Sequence, residues 1–521
     1  MIAFPWITVL TAVPIAGALV VLGIGGGVGE RNKNLARGLA LAFSFLALGL
    51  TLFLWHHFNS ASGALQFQER YPWIPALGVE YRVGIDGLGL LMLLLTSIVV
   101  PIGMLASWQI QERVPLYFSL VLLLQACLFG TFTALNFFHW FIFWELSLIP
   151  AFFLIKLWGG PRRTSAATQF LVYTMVGSIA LLLAFLAIFL ATGKFDFIDL
   201  AGLAQNGQLM PAVVRNLGWH RFTPEHVALM IFAGAFLGFA VKVPLVPFHT
   251  WLPSAYSEAP TGTTILLTGA MSKMGVYGLL RIAVPLFGRQ IAQMRTPLLT
   301  LAVITVVMGA WAAAAQKDLK RVFAYSSVNH LGYCLLGIFA LAVPAAGVAA
   351  QTSQAAALNG VILQMFNHGV TAGALFWFIA MMQERSGGER GIDHFGGLRK
   401  PAPVLAGMMG IALFSSLGLP GLNGFVGEFL IFRGVFPLSW QAAAVSILGL
   451  LVTAAVILTV IQKVFTGPVP EKWASFPDMH GGERLAMAPV IGIMLLLGLL
   501  PQLVLEHVNP TVVNLLAHWR F

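Results

Sequence analysis

Five ionisable residues lie inside runs apolar enough to cross a lipid bilayer: Glu145, Lys156, Lys242, Lys273 and Glu428. Glu145 and Lys156 share the stretch FFHWFIFWELSLIPAFFLIK, and Lys242 sits in FAGAFLGFAVKVPLVPFHTWL. Holding a lysine or an acid at mid-membrane depth costs roughly 2.5–3.5 kcal/mol on insertion scales. Groups kept at that cost usually face a bundle interior or a wet path and mark where an ion or proton moves. Carboxylates and amines can both gain and lose a proton, so the chemistry expected is proton transfer.

Each residue has a bland reading beside the functional one. A lone buried Glu145 can be neutral and structural; paired with Lys242 it becomes a switch, since each charge stabilises the other only while both are ionised and close. Lys242 either snorkels to an interface or, enclosed by apolar neighbours, exchanges its proton. Lys273, in TGAMSKMGVYGLL, is flanked by small residues that leave room for water or close helix packing. His330 (SSVNHLGYC) and His368 (QMFNHGVTAG) lie between a buried lysine and a buried acid in sequence. A lone helical histidine is more often a hydrogen-bonded core residue, but two in that position read as a relay. His249, after a proline-broken stretch, either orients the break or joins the relay. Glu428 either releases protons or caps a half-helix, since acids suit helix N-termini. Lys156 and Lys463 lie near loop ends and read as snorkelling. Asp318, Lys320 and Arg321 read as a solvated loop cluster anchoring the next span.

The elements that must position these groups are membrane helices. Of 521 residues, 58% are hydrophobic and 9% charged, with a mean hydropathy of +0.86. A soluble domain carries about 25% charged residues. About fourteen spans are expected, near 3–24, 35–57, 86–108, 115–135, 137–158, 164–192, 227–252, 260–285, 294–315, 320–343, 355–382, 401–434, 440–464 and 485–507. Longer polar connections fall at 58–84 and 193–226. The first span lacks a basic leader and reads as a span, not a cleaved signal. Fifteen of the 29 Lys and Arg residues fall on loops after odd-numbered spans and ten on the other side. That bias puts both termini on the non-cytoplasmic side.

Two spans are interrupted. The seventh carries Pro244 and Pro247 just after Lys242, and the twelfth carries SLGLPGLNGFVGEF, with Pro420 before Glu428. Proline removes a backbone donor and clashes with the preceding turn. Broken helices at membrane depth survive only where protein or water satisfies the freed groups, and a pair of them points to inverted repeats around a midplane site. Lys242 and Glu428 are 186 residues apart; the same offset from Glu145 reaches position 331, beside His330. Spans 4–8 and 9–13 therefore read as two copies of a five-helix unit. The division expected is 1–110 for the first three helices, 111–292 and 293–466 for the repeats, and 467–521 for the last loop and helix.

Other functions are disfavoured. Cys127 and Cys334 lie in separate apolar helices with no CxxC or Cys/His cluster, and no nucleotide-binding glycine loop is present. The formal charge of +10 is spread over loops rather than clustered, which argues against nucleic acid and fits a partner that is the lipid bilayer. No metal and no cofactor of its own is expected in this chain.

The stretches FWELSLIPAFFLIKLWGG, AVKVPLVPFHTWLPSAYSEAP, KDLKRVFAYSSVNHLGY, QMFNHG and GLPGLNGFVGEF resemble the antiporter-like membrane subunits of respiratory complex I and their relatives in multisubunit cation/proton antiporters. The likeness covers roughly 80–510. Glu428 points to the subunit M (chain 4) branch, because the L and N branches and the antiporters typically carry lysine there. A long lateral helix follows the fourteenth span of the L branch, whereas only a short stretch follows it here. The resemblance implies an all-α polytopic fold of fourteen helices with two inverted five-helix repeats and discontinuous seventh and twelfth helices. It implies a hydrated axis along the membrane plane through Glu145, Lys242, Lys273, His330, His368 and Glu428. Uptake would lie near Glu145 and Lys242. It implies a proton-translocating subunit of an NADH:quinone oxidoreductase in a bacterial plasma membrane, beside L-type and N-type subunits. NADH, FMN, iron–sulfur clusters and quinone would be held by partner subunits. Lys156, and Gln169 where many relatives carry lysine, depart from the pattern near the uptake side. Two other functions stay open: a subunit of a cation/proton antiporter or membrane hydrogenase, and a structural scaffold between pumping subunits.

Overall fold

In the computed structural model, residues 4–24, 30–344 and 347–521 are described. The outermost residue of the first expected span, at position 3, lies outside them. Among the described residues, thirteen helices are long and apolar enough to cross a membrane. The twelfth expected span is not one of them, because it is split into Pro403–Leu417 and Asn423–Leu438. The seventh is split as well, into Pro224–Lys242 and Trp251–Glu258. The seventh-span break falls at Pro244 and Pro247, and the twelfth-span break at Pro420 between Gly418 and Gly421.

Enclosure differs sharply among the spans. The eighth (Thr261–Gln293), tenth (Leu319–Ala340) and eleventh (Val348–Arg385) are almost wholly buried within the protein. The second (Glu30–His57), thirteenth (Trp440–Phe465) and fourteenth (Gly481–Leu499) turn most of their length outward. Their outward residues are apolar, including Leu46, Leu52, Leu451, Leu458, Leu485 and Leu499. A ring of exposed aliphatic side chains around a core that contains lysines, histidines and glutamates inverts the soluble pattern. It marks an integral membrane protein.

Three departures from the sequence-based expectation have local causes. First, the fold is not wholly helical: Gln66–Ile74 and Val79–Ile85 form an antiparallel hairpin inside the expected polar connection. Val, Tyr, Ile, Phe and Trp favour strands, and Gly78 (φ 62°) closes the turn in the left-handed region. Second, the connection at 193–226 contains the short helices Phe197–Gln205 and Leu209–Asn216, the first capped by the Asp196 carboxylate. Third, the last expected span, 485–507, stops at Leu499 before Pro501, and Gln502–His518 forms a separate helix. That helix is pinned to the third span by the Thr511 hydroxyl, which accepts from Gly87 N at 2.9 Å.

Candidate proton-transfer site

The fifth span (Phe137–Trp158) begins at Asn136, whose side chain accepts from Phe138 N at 2.8 Å. Trp144 is fully buried and donates its indole N–H to Ser178 at 2.9 Å, which fixes the ring. Lys242 ends its helix, where the negative end of the helix dipole favours a cation. Its ammonium lies 4.9 Å from the Trp144 ring centroid. When desolvated, such a cation–π contact contributes about 2 kcal/mol or more.

The expected Glu145–Lys242 ion pair is not formed. Glu145 is half-buried with an unpartnered Oε1, and Lys242 Nζ is buried without a hydrogen-bond partner. The cause is helical geometry: Glu145 is rotated about 100° around the axis from Trp144, and the locked indole takes the lysine. The acid and the base make no hydrogen bond or ion pair with one another, and the lysine rests on the aromatic ring instead.

The stretch between Lys242 and Trp251 is held from several sides. Trp251 donates its indole N–H to Val241 O at 2.9 Å, and Val246 N donates to the Thr305 hydroxyl at 3.1 Å. Gln169 donates to Thr250 O at 3.4 Å. The eighth span lies hard against this break: a Cβ on Gly275 would stand 3.0 Å from Val243 N and 2.5 Å from its side chain. His249 is buried within the break with Nδ1 unpartnered, and its ring stands 6.4 Å from that of Tyr325. It touches neither Lys242 nor Lys273.

A second cluster is closely spaced. The eighth span contains two π-turns, at Leu267–Met271 and Leu279–Ala283. Such widened turns disturb the regular ladder and recur at functional sites. The first exposes Thr268 O, which accepts from the Lys273 ammonium at 2.5 Å, with the Ser272 hydroxyl 3.3 Å away. Lys273 Nζ also lies 2.8 Å from His368 Nδ1. The His368 and His330 ring centroids are 5.2 Å apart. His330 Nδ1 stands 3.0 Å from Glu428 Oε1, and Ser416 lies 3.3 Å from its Nε2. All four titratable groups are less than 10% exposed.

Gln364 makes the last step switchable. Its amide lies 3.3 Å from His330 Nδ1 and 3.4 Å from Glu428 Oε1. A ring protonated at Nδ1 donates to Glu428; a ring bare at Nδ1 accepts from Gln364. Gln364 and His368 are four residues apart and share one face of the eleventh span. Glu428 does not cap its half-helix: its side chain reaches sideways to His330, and a Cβ on Gly418 would stand 2.7 Å from its Oε2. His330, Gln364, His368, Ser416 and Glu428 line one narrow cleft.

The remaining residues singled out in the sequence lie elsewhere. Lys156 is exposed, with its ammonium 5.2 Å from the Phe152 ring. Lys463 pairs with Asp393 at 2.6 Å on the surface. Lys320 is a correction: it is buried, not solvated, and donates to Ala259 O at 3.2 Å. Asp318 pairs with Arg390 at 3.0 Å and caps the tenth span through Arg321 N. Sequence reasoning missed Gln364, Ser416, Trp144 and Ser178. Gln364 alone carried a signal, four residues before His368.

The family described as NADH:quinone oxidoreductase/Mrp antiporter, TM, matches residues 134–457. NADH-quinone oxidoreductase subunit M of Rhodobacter capsulatus is 34% identical over 514 residues, covering 98% of this chain and 96% of that protein. F(420)H(2) dehydrogenase subunit M of Methanosarcina mazei is 36% identical over 483 residues, covering 91% and 92%. Among solved structures, a chain of respiratory complex I from Thermus thermophilus with bound NADH has a TM-score of 0.83 at 29% identity, over 99% of this chain and 100% of that one. The chain therefore belongs to the NADH:quinone oxidoreductase/Mrp antiporter membrane family, among its subunit M proteins.

Proposed function

We propose that this chain translocates protons as the antiporter-like subunit of a complex I-type NADH:quinone oxidoreductase, driven by electron transfer in other subunits. The observation that carries the reading is the close succession Lys273, His368, His330 and Glu428 in a buried setting, in contact at both ends and with the two rings 5.2 Å apart between them. Protons are taken up near Glu145 and Lys242, pass to Lys273, and move through the two histidines toward Glu428. The gap between Lys242 and Lys273 is where the driving signal acts, since Gly275 brings the eighth span against the Lys242 break. His249 orients that break.

On this reading the broken helices belong to two inverted five-helix repeats, 111–292 and 293–466, within a fourteen-helix topology. Both termini face away from the cytoplasm across a bacterial plasma membrane. The neighbours are L-type and N-type subunits, and NADH, FMN, iron–sulfur clusters and quinone reside in partners. The test is proton pumping by the assembled complex in vesicles. Glu145→Gln or Lys242→Ala should cut pumping with assembly retained; unchanged pumping in an assembled variant contradicts the roles given.

A second reading has a specific observation behind it. The family description names Mrp antiporters, and the Methanosarcina relative belongs to an F(420)H(2) dehydrogenase. The same axis would then answer to another energy source. Subunits that co-purify decide: a quinone module with an NADH-oxidising arm supports the main reading, and their absence supports the second.

A further inference from the structure

The mechanism above uses the first π-turn of the eighth span and leaves the second unexplained. The second π-turn carries Arg281, whose guanidinium reaches Asp86 at 2.6 Å. Both side chains are under 10% exposed. Asp86 also caps the third span, accepting from Gly89 N at 3.0 Å. Arg281 Nε lies 3.4 Å from the Tyr277 hydroxyl, which donates to Phe132 O at 2.9 Å. Arg281 stands eight residues beyond Lys273, about 12 Å along the helix, on the side away from the odd-numbered loops. A cavity of ≈ 230 Å³ begins one turn further on, lined by Pro285, Leu286 and Arg289.

We propose that the Arg281–Asp86 pair, with Tyr277, is an insulating seal that stops protons at Lys273 from escaping straight out along the eighth span. The inference rests on the proton-translocation reading. A relay needs every member to accept and release a proton. Arginine has five donors, no acceptor, and does not release its proton in proteins. Tyr277 stands between Lys273 and Arg281 with its proton committed to a backbone carbonyl. Without Arg281, the path from Tyr277 would reach Asp86, an acid able to carry a proton, and the cavity beyond. With Arg281 in place, the titratable side chain that Lys273 contacts among the described residues is His368, so the connected way out is lateral. Burying an ion pair is otherwise a weak source of stability, so insulation gives this one a purpose.

The test is passive proton leak in vesicles containing the assembled complex, with no electron donor and an imposed potential, read with an internal pH dye. Arg281→His and Arg281→Gln should raise the leak, the histidine variant by about tenfold or more, below the gain a positioned proton carrier gives. Asp86→Asn keeps the guanidinium and should stay tight. Asp86→Asn combined with Arg281→His leaves no buried charge unpaired, so it serves where the single variants fail to assemble, and it should leak. Assembled Arg281 variants that stay tight overturn the seal. So does a leak in Asp86→Asn equal to that in Arg281→His, because packing alone would then explain it. Donor-driven pumping in the same vesicles reads the underlying function separately: pumping insensitive to Lys242→Ala is a failure of that reading, not of the seal.

Discussion

In the fifth and seventh spans Lys242 hangs over the ring of Trp144 and touches no acid, whereas from the eighth to the twelfth span Lys273, His368, His330 and Glu428 follow one another closely. Both clusters pair a lysine with a glutamate, and both adjoin a broken helix. The difference is what stands between the charges. Lys242 rests on the Trp144 ring without a bond to Glu145, whereas two imidazoles and an amide lie between Lys273 and Glu428. On the function proposed above, the first arrangement suits a control point and the second suits a wire. Similar residue types would then serve different tasks according to the neighbours that orient them.

The largest expected effect comes from cutting the wire. His330→Phe keeps a ring in place but removes both nitrogens between His368 and Glu428. Proton transfer through this subunit should fall on the order of 100-fold or more, the scale of a lost proton-transfer group. Coupled pumping assays on the assembled complex check this, and pumping equal to the parent would erase the contrast between the clusters. A smaller effect is expected at the control point. Trp144→Leu removes a cation–π contact of about 2 kcal/mol or more and lets Lys242 meet Glu145. Pumping should drop several-fold without vanishing, and a cryo-EM structure of the variant should show the ion pair closed. An ammonium still parked away from Glu145 would show that Trp144 is not what separates them.

Gly418→Ala probes the supports of the wire. Gly418 has φ 84°, and a Cβ there would meet Glu428 Oε2. Strain of about 1–2 kcal/mol plus the clash should lower the thermal stability of the complex modestly and displace Glu428. Thermal unfolding that matches the parent would mean the half-helix junction adjusts freely.

The smallest effect lies outside both clusters, on the loop after the eleventh span. Glu389 is exposed and accepts from His394, which holds its carboxyl below the usual carboxylate range. A carboxyl depressed in the folded state adds stability above its unfolded pKa and loses it as pH falls through the folded value. Glu389→Gln should therefore shift stability slightly at neutral pH, less in high salt, and the difference should fade in acid. A difference that grows on acidification would reverse the sign and refute the contact.

Much of this arrangement was legible in the residues. Charges inside apolar runs exposed the titratable groups, and proline marked both broken helices, with glycine beside it in the twelfth. Span limits came close because hydropathy falls sharply at loops. What could not be read was orientation. Whether Lys242 meets Glu145 or Trp144 depends on a hydrogen bond from Trp144 to Ser178, a residue 34 positions away. The π-turns that present Lys273 and Arg281 left no mark in the hydropathy pattern, because one extra residue in a turn does not alter it. The hairpin at 66–85 was hidden because its alternation is obscured by irregularities at 66–69 and 72–74. Gln364 and Ser416 looked like ordinary polar residues because their importance lies in what they touch across three spans.

The central claim, that the eighth-to-twelfth-span cluster is a connected proton path, meets its most direct test in Lys273→Met. Electron transfer and proton release would be recorded together in vesicles of the assembled complex. The account predicts electron transfer retained and the protons moved per electron reduced, because methionine keeps the packing but cannot bond to His368. An unchanged proton-to-electron ratio in that variant would contradict it.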